Sequence, residues 1–295
     1  MSQPESTRIS RRRLFAMAGL SAGATLLARR PLFAKGGGIV PTMVNAAAKV
    51  KITVHPVRRH ISVLEGSGSN IAVLTGKDGK LLVDAGFAVS RPAIANALTA
   101  INADPVKHLI NTYWHTDHTD GNAWLHASGA AITAHENTRK RLSVATRVEG
   151  WDWTFPAAPA GALPVSVFAS EHEMQRNDTR IALRYYGPAH TDSDVWVHFT
   201  EADVVHVGDT FWNGVYPFID YSTGGTIDGH IRAAEANVAA FTSETVFIPG
   251  HRPVGGMSEV VGFRDMLVAI RANVAALKKQ GKSLEETIAA KPTAV

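Results

Sequence analysis

Two imidazoles and a carboxylate lie within four positions of this chain, at His115, Asp117 and His118, directly after the apolar segment of residues 106–112. Burying these groups together costs free energy unless a cation or a hydrogen-bond network compensates them. A metal ion is the simplest compensation, because imidazole nitrogens and carboxylate oxygens are common metal ligands. A polar turn is the alternative. The run therefore predicts half of a metal site on the loop after a strand.

The rest of the site is expected far along the chain, because ligands close together on one loop cannot enclose a cation from both sides. Three further strand-like segments lead into a ligand-type side chain, at His190, Asp209 and His251. A rigid strand holds such a residue in a defined place at the sheet edge. A fourth segment ends at Asp84, which is expected to orient the ligand loop rather than to bind metal.

Most of the 13 histidines have no partner at ligand spacing and are expected on the surface or in a hydrogen-bonded framework. His135 precedes a helix-like segment, so it is expected to cap that helix or to support the site. The framework set is His55, His60, His108, His126, His172, His198, His206 and His230.

The amino terminus has the pattern of an export signal. Arg11 and Arg12 precede the uncharged apolar stretch of residues 14–28, which is too short to span a bilayer but suits the central region of a signal peptide. The arginine pair resembles a twin-arginine signal, and a basic helix on a membrane surface is the alternative. Residues 1–34 are predicted to be this signal, residues 35–49 a linker and residues 50–295 the catalytic domain of a periplasmic or secreted bacterial protein.

Removal of this segment changes the charge balance. The formal net charge is +4, but residues 1–35 hold seven of the 30 Lys and Arg and one of the 26 Asp and Glu, which leaves 23 basic and 25 acidic side chains. No nucleic-acid footprint is therefore expected. Without cysteine there is no disulfide, lipidated anchor or thiolate ligand. The expected partners are a small-molecule substrate and the twin-arginine export machinery, with no stable membrane span after processing.

Strand and helix signals alternate along the remaining chain as in one α/β domain. Strands are predicted within residues 50–84, with a hairpin turn at residues 76–79, and a helix over residues 90–101. The second half repeats this scheme, and residues 258–279 predict a closing amphipathic helix. The other predicted elements are strands near residues 165–168, 181–186, 195–199, 204–207 and 245–248, and a helix near residues 227–241.

Five short motifs, at Asp84, residues 115–118, His190, Asp209 and His251, resemble those of the metallo-β-lactamase-fold hydrolase superfamily. The resemblance covers roughly residues 50–280, and five motifs in family order are far more specific than any one of them. It implies a four-layer αββα sandwich whose two similar halves present the ligand loops at one edge. It also implies two metal positions, usually occupied by zinc and bridged by a hydroxide and by the carboxylate of Asp209.

The second metal position of the family is complete in this chain. Asp117, His118 and His251 match its ligands, and Asp209 matches the bridging carboxylate. The resemblance therefore implies one tight zinc ion at this position.

The first metal position departs from the family pattern. His115 and His190 match two of its three histidines, but Tyr113 stands where the family has the other. A phenol with a pKa of about 10 is a poor zinc ligand unless the metal ionises it. This position is therefore expected to bind metal more weakly, and Tyr113 is a candidate ligand or a donor to the substrate carbonyl.

The predicted function is metal-assisted hydrolysis of a carbonyl compound, namely a lactam, lactone, ester or thioester, by a metal-activated water. Asp117 is expected both to bind the second metal and to orient or deprotonate the water. Two aromatic clusters are candidates to shape the substrate pocket, with ordinary core packing as the alternative. The candidate substrate-binding residues are Trp151, Trp153, Trp212, Tyr221, Ser222 and Thr223.

Two alternatives come from the altered first position. His115, His190 and Asp209 form the two-histidine, one-carboxylate set of non-haem iron oxygenases, so iron-dependent oxidation of a sulfur compound is one alternative. A metal-binding protein without turnover is the other. Metal analysis separates iron from zinc, and a panel of chromogenic substrates separates an enzyme from a binder.

Changing Arg11 and Arg12 together to Lys is expected to hold the precursor in the cytoplasm, because the export machinery recognises the arginine pair. Cell fractionation of the native and changed precursors measures this. Unchanged accumulation in the periplasm would contradict the prediction.

Overall fold

The computed structural model describes residues 38–294, so the predicted signal of residues 1–34 lies outside the described residues. The strands are β1 (Thr53–Pro56), β2 (Ile61–Ser67), β3 (Ser69–Leu74), β4 (Lys80–Val83), β5 (Val106–Ile110), β6 (Ala131–His135), β7 (Thr146–Val148), β8 (Trp153–Phe155), β9 (Ser166–Phe168), β10 (Glu171–Arg176), β11 (Thr179–Tyr185), β12 (Val195–Phe199), β13 (Val204–Trp212) and β14 (Val246–His251).

These strands form two large sheets and a small hairpin. The first sheet has seven strands in the order β1-β2-β3-β4-β5-β6-β9, and the second has five in the order β10-β11-β12-β13-β14. β4, β5, β6 and β9 pair in parallel, as do β13 and β14, whereas the other pairs are antiparallel. β7 and β8 pair only with each other.

The described residues also form helices, several of which pack on the outer faces of the two sheets. They are α1 (Ile39–Ala47), α2 (Arg91–Ile101), α3 (Thr116–Thr119), α4 (Asn122–Ala127), α5 (Glu136–Leu142), α6 (Ile227–Ala240), α7 (Met257–Lys279) and α8 (Leu284–Ala289). Among residues 38–294, no helix combines the length and the apolar character that a membrane span requires.

Three apolar clusters hold these layers together. Val204 of β13 lies in the cluster between the sheets, which contains residues of both. The next residue, Val205, faces outward into the cluster formed with α6 and α7. A third cluster joins the outer face of the first sheet to α2 and α4. Because side chains alternate between the faces of a strand, each sheet packs on both sides, which gives the predicted αββα sandwich.

The predicted elements agree well with the structure. The turn at residues 76–79 joins β3 to β4, and the strands expected in the second half are present. The predicted linker contains α1, whose Val40 and Ala47 are buried. The closing helix begins at Met257, but only its first half packs fully: Val260 and Leu267 are buried, whereas Val274 is 37% exposed. Helical periodicity predicts an apolar stripe, but it does not predict how far the sheet extends beneath it.

Candidate metal centre

The carboxyl ends of two parallel strand pairs create the frame of the site. Thr112 follows β5, and its backbone N–H and hydroxyl donate to the two carboxylate oxygens of Asp84, which follows β4, at 2.8 and 2.7 Å. In the other sheet, Asp209 of β13 lies beside Gly250 of β14. A Cβ at Gly250 would lie 1.8 Å from Oδ1 of Asp209, so only glycine permits this approach. The fold therefore brings together segments that are far apart in sequence.

The four residues predicted for the second metal position converge on one point. Nε2 of His118 lies 3.2 Å from Oδ1 of Asp209, and Nε2 of His251 lies 3.2 Å from Oδ2 of the same residue. Asp117 Oδ2 is 3.3 Å from His251 Nε2. One ligand atom from each of Asp117, His118 and His251 lies within 4.8 Å of the other two. This grouping matches the sequence expectation.

Several polar atoms at this point have no hydrogen-bond partner among residues 38–294. They are Oδ1 of Asp117, Nε2 of His118 and Oδ1 of Asp209, all buried; the last two lie 3.2 Å apart without forming a hydrogen bond. Buried polar atoms in folded proteins are almost always satisfied, so three such atoms facing one point need an explanation. A cation coordinated by these nitrogen and oxygen atoms would satisfy all three, and the donor set suits zinc.

Hydrogen bonds behind the two histidines set the direction of their ring nitrogens. Nδ1 of His118 lies 2.7 Å from Oδ2 of Asp84, and Nδ1 of His251 lies 2.9 Å from the carbonyl oxygen of Gly68. These oxygens only accept, so each Nδ1 carries the hydrogen and each Nε2 faces the centre. Asp84 thus fixes the ring direction of His118, a candidate ligand.

The residues of the first metal position also lie together. Nδ1 of His115 is 3.2 Å from Nε2 of His190, which is 3.6 Å from Oδ2 of Asp209. Nε2 of His115 faces Asp220 at 3.0 Å, and Nδ1 of His190 faces the carbonyl oxygen of Phe218 at 2.7 Å. Both outer nitrogens therefore carry hydrogen, and two lone pairs face each other across 3.2 Å. Two nitrogen lone pairs that face each other repel, so a proton or a metal ion is needed between them.

Tyr113 lies at the junction of the two positions. Its side chain is 1% exposed, and its hydroxyl donates to Oδ2 of Asp209 at 2.9 Å. Its ring packs against His115, His118 and His190 with centroid distances of 4.8, 4.4 and 4.9 Å. Burial and then the charge of Asp209 raise the pKa of Tyr113 well above its usual value. Its hydroxyl is a hydrogen-bond donor to Asp209 in this geometry.

The site attracts positive charge. Burial lowers the pKa of His251, but the charge of Asp209 and contacts with Asp117 outweigh it and raise this pKa to about 10. Burial likewise opposes ionisation of Asp209, yet His251 and His118 hold the pKa of its carboxyl well below the usual value. At the first position, burial and then the neighbouring imidazoles, partly offset by Asp209, lower the pKa of His190 to about 3. The strongest pull on a cation is therefore at the second position.

Aromatic rings flank the centre on both sides. Trp151, at the tip of the β7–β8 hairpin, lies 4.7 Å from the ring of His115 and stacks on Phe218 at 5.0 Å. Trp212 lies 4.5 Å from the ring of His251. Trp151 and Trp212 are half-buried, which suits a wall of a cleft.

Four other predicted substrate residues have different surroundings. Thr223 is buried and Ser222 half-buried, and both hydroxyls donate to the carboxylate of Asp220 and so support that residue. Tyr221 is 67% exposed. Trp153 has a ring contact with Phe155 at 6.5 Å, and among the described residues no ring contact joins it to a site histidine.

The sequence did not identify Asp220 and Phe218, whose oxygens fix the two first-position histidines.

His230 was expected to be hydrogen-bonded or on the surface, but it is fully buried and neither ring nitrogen has a partner within residues 38–294. His135 caps α5 as expected, since its Nδ1 accepts from the backbone N–H of Asn137.

Comparison with known proteins identifies the family. Residues 64–251 match the family model of the metallo-β-lactamase superfamily. The chain belongs to this superfamily. Its members are generally metallo-hydrolases, which confirms the predicted enzyme class, and family membership together with the Asp117, His118 and His251 group supports metal binding.

Solved structures show the same fold at low sequence identity. A metallo-β-lactamase from Pontibacter korlensis matches with a TM-score of 0.60 and 17% identity, over 74% of this chain and 99% of that one. The DIM-1 metallo-β-lactamase matches with a TM-score of 0.59 and 19% identity, over 75% of this chain and 99% of that one. A double mutant of the sec-alkyl sulfatase PisA1 has a TM-score of 0.61 and 14% identity, over 87% of this chain and 48% of that one.

Replacing His118 or His251 by Ala is expected to lower metal content at limiting zinc by roughly tenfold or more, since each change removes one imidazole from the second position. Elemental analysis of the purified variants measures this. His55→Ala, at an exposed residue paired with Glu65, is the control and should retain the native content. Full metal content in His118→Ala and His251→Ala would show that the site lies elsewhere.

Proposed function

We propose that the protein is a zinc-dependent hydrolase of a carbonyl compound, with Asp117, His118, Asp209 and His251 holding the tighter ion. The observation that carries this proposal is the set of buried ligand atoms at one point that form no hydrogen bond within residues 38–294, with the rings of His118 and His251 each oriented by a hydrogen bond on the other side. When bound, zinc supplies Lewis acidity and makes water a competent nucleophile near neutral pH.

Asp117 is suited to handle the proton of the attacking water. Its Oδ2 faces His251, whereas its Oδ1 is buried without a partner among the described residues. When an ion is bound, the oxygen of Asp117 that does not hold it would accept a hydrogen bond from water and orient it. Ser69 fixes the backbone here, because its hydroxyl donates to the carbonyl oxygen of Asp117 at 2.7 Å.

Tyr113 is proposed to position Asp209 through its hydroxyl. Tyr113→Phe removes only this hydrogen bond to a charged acceptor and is expected to lower turnover by roughly 10–100-fold, in line with roughly 1.5–3 kcal/mol for such a bond. Tyr113→His adds an imidazole to the first position and is expected to raise the bound metal from about one ion towards two at limiting zinc. Elemental analysis and steady-state kinetics measure these effects. Two tight ions in the native protein, with Tyr113 not bound to either, would contradict the weakened first position.

The aromatic walls favour a substrate with an apolar group beside the reacting carbonyl. Trp151 and Phe218 flank His115 on one side, and Trp212 flanks His251 on the other. Such a cleft buries apolar surface and leaves specificity to a few polar groups. The named neighbours include metallo-β-lactamases and an alkyl sulfatase, so both a lactam and a sulfate ester belong in the test panel.

A panel of chromogenic lactam, lactone, ester, thioester, phosphodiester and alkyl sulfate compounds tests the reaction class. Turnover is expected with at least one carbonyl compound, and Trp151→Leu should raise its KM by roughly tenfold through lost apolar contact. Trp196→Leu is the matched control, because this half-buried tryptophan packs against Phe241 on the outer face of the second sheet. Turnover of only the phosphate or sulfate esters would refute carbonyl hydrolysis, and no turnover would favour a binding protein.

The iron alternative uses only His115, His190 and Asp209. It leaves unused the atoms of Asp117 and His118 that have no hydrogen bond among the described residues, so the zinc proposal accounts for more of the site. We also propose that the enzyme acts in the periplasm or outside the cell. This proposal rests on the arginine pair and apolar stretch of residues 11–28.

A further inference from the structure

A buried carboxylate outside the ligand motifs lies directly behind His115. Oδ2 of Asp220 is 3.0 Å from Nε2 of His115, and both side chains are 1% exposed. The other ring nitrogen of His115, Nδ1, faces His190.

The surroundings of Asp220 are specific for a carboxylate. Oδ2 accepts from His115 and from the hydroxyl of Thr223, whereas Oδ1 accepts from the backbone N–H and the hydroxyl of Ser222. Four donors thus converge on two oxygens. A carboxylate accepts about four hydrogen bonds, but an amide at the same place would turn its own N–H groups towards two of these donors. Asparagine is therefore isosteric with Asp220 without being equivalent to it.

The backbone of the same residue fixes the second histidine of the first position. The N–H of Asp220 donates to the carbonyl oxygen of His190 at 3.0 Å, and the nearby carbonyl oxygen of Phe218 accepts from Nδ1 of His190. One short segment, residues 218–220, thus supports both first-position histidines. The second position takes its corresponding acceptors from Asp84 and Gly68, which belong to a different part of the chain.

We propose that Asp220 is the positioning residue of the first metal position and controls whether a second metal ion binds. It orients Nδ1 of His115 and strengthens this nitrogen as a ligand, in the manner of a carboxylate behind a metal-bound histidine. This support matters more here than in a three-histidine site, because Tyr113 leaves only two imidazoles at this position. The inference rests on the metal centre of the proposed function, but it concerns metal binding and not turnover.

The test is a zinc titration of the metal-free protein against a chromophoric chelator, which resolves the tighter and weaker binding steps. Asp220→Asn is expected to weaken the weaker step by roughly 10–100-fold, as for other carboxylates behind metal-bound histidines, and to leave the tighter step unchanged. Asp203→Asn is the control, because Asp203 is a hydrogen-bonded aspartate remote from the centre that accepts from Thr245 at 2.7 Å. It should change neither step.

The same titration is repeated in the Tyr113→His background. This substitution strengthens the first position and makes its zinc-binding step measurable, however weak that step is in the native chain. Asp220→Asn is expected to weaken this step there as well. An equal loss in both steps, accompanied by a lower Tm of the metal-free protein, would reduce Asp220 to a general structural role and overturn the proposal. Unchanged binding in both backgrounds would also overturn it, as would a Tyr113→His protein that binds no second ion while Asp220 is intact.

These outcomes are distinct from failure of the proposed function. A protein that binds zinc in two steps, loses the weaker one in Asp220→Asn and hydrolyses none of the panel compounds would retain the role of Asp220 and refute the hydrolase. Exchangeable imidazole N–H signals of histidine-labelled, cobalt-loaded protein add a spectroscopic readout. The signal from Nε2 of His115 should be lost in Asp220→Asn, while those from Nδ1 of His118 and His251 remain.

Discussion

The outer nitrogen of each imidazole at the centre faces a fixed acceptor, and this interaction decides what the site can do. An imidazole whose outer N–H is held by an oxygen directs its other nitrogen to a single place. Asp84 and the carbonyl oxygen of Gly68 do this for the second position, and Asp220 and the carbonyl oxygen of Phe218 do it for the first. The geometry of the candidate metal centre is therefore built into the polypeptide.

The αββα sandwich brings the residues of the candidate site together because two parallel strand pairs end at one edge. Parallel neighbours place the residues that follow them side by side, which brings Asp84 to Thr112 and Asp209 to Gly250. The apolar clusters on both faces of each sheet hold these ends rigidly. Each metal position thus combines residues from several segments, and the core determines the distances between them.

The sequence predicts the parts of this arrangement that are local. A strand-like run that ends in a ligand-type residue is visible in the chain, and His118, Asp209 and His251 were identified in this way. Asp220 was not, because its partner His115 lies 105 positions away and nothing in its neighbours indicates the contact. The same limit explains the different surroundings of Thr223: a hydroxyl that supports a buried carboxylate and one that faces a substrate have the same sequence pattern. Burial and pairing depend on the tertiary fold.

The two metal positions share one pattern of support but differ in charge. Each has one histidine backed by a carboxylate and one backed by a main-chain carbonyl oxygen. The second position adds the carboxylates of Asp117 and Asp209, whereas the first has only Oδ2 of Asp209, which already accepts the hydroxyl of Tyr113. A hydrogen bond from a phenol withdraws negative charge from that oxygen and makes it a weaker ligand. We therefore expect Tyr113 to weaken the proposed first position twice, by replacing an imidazole and by occupying the shared carboxylate, so that a cation fills the second position first.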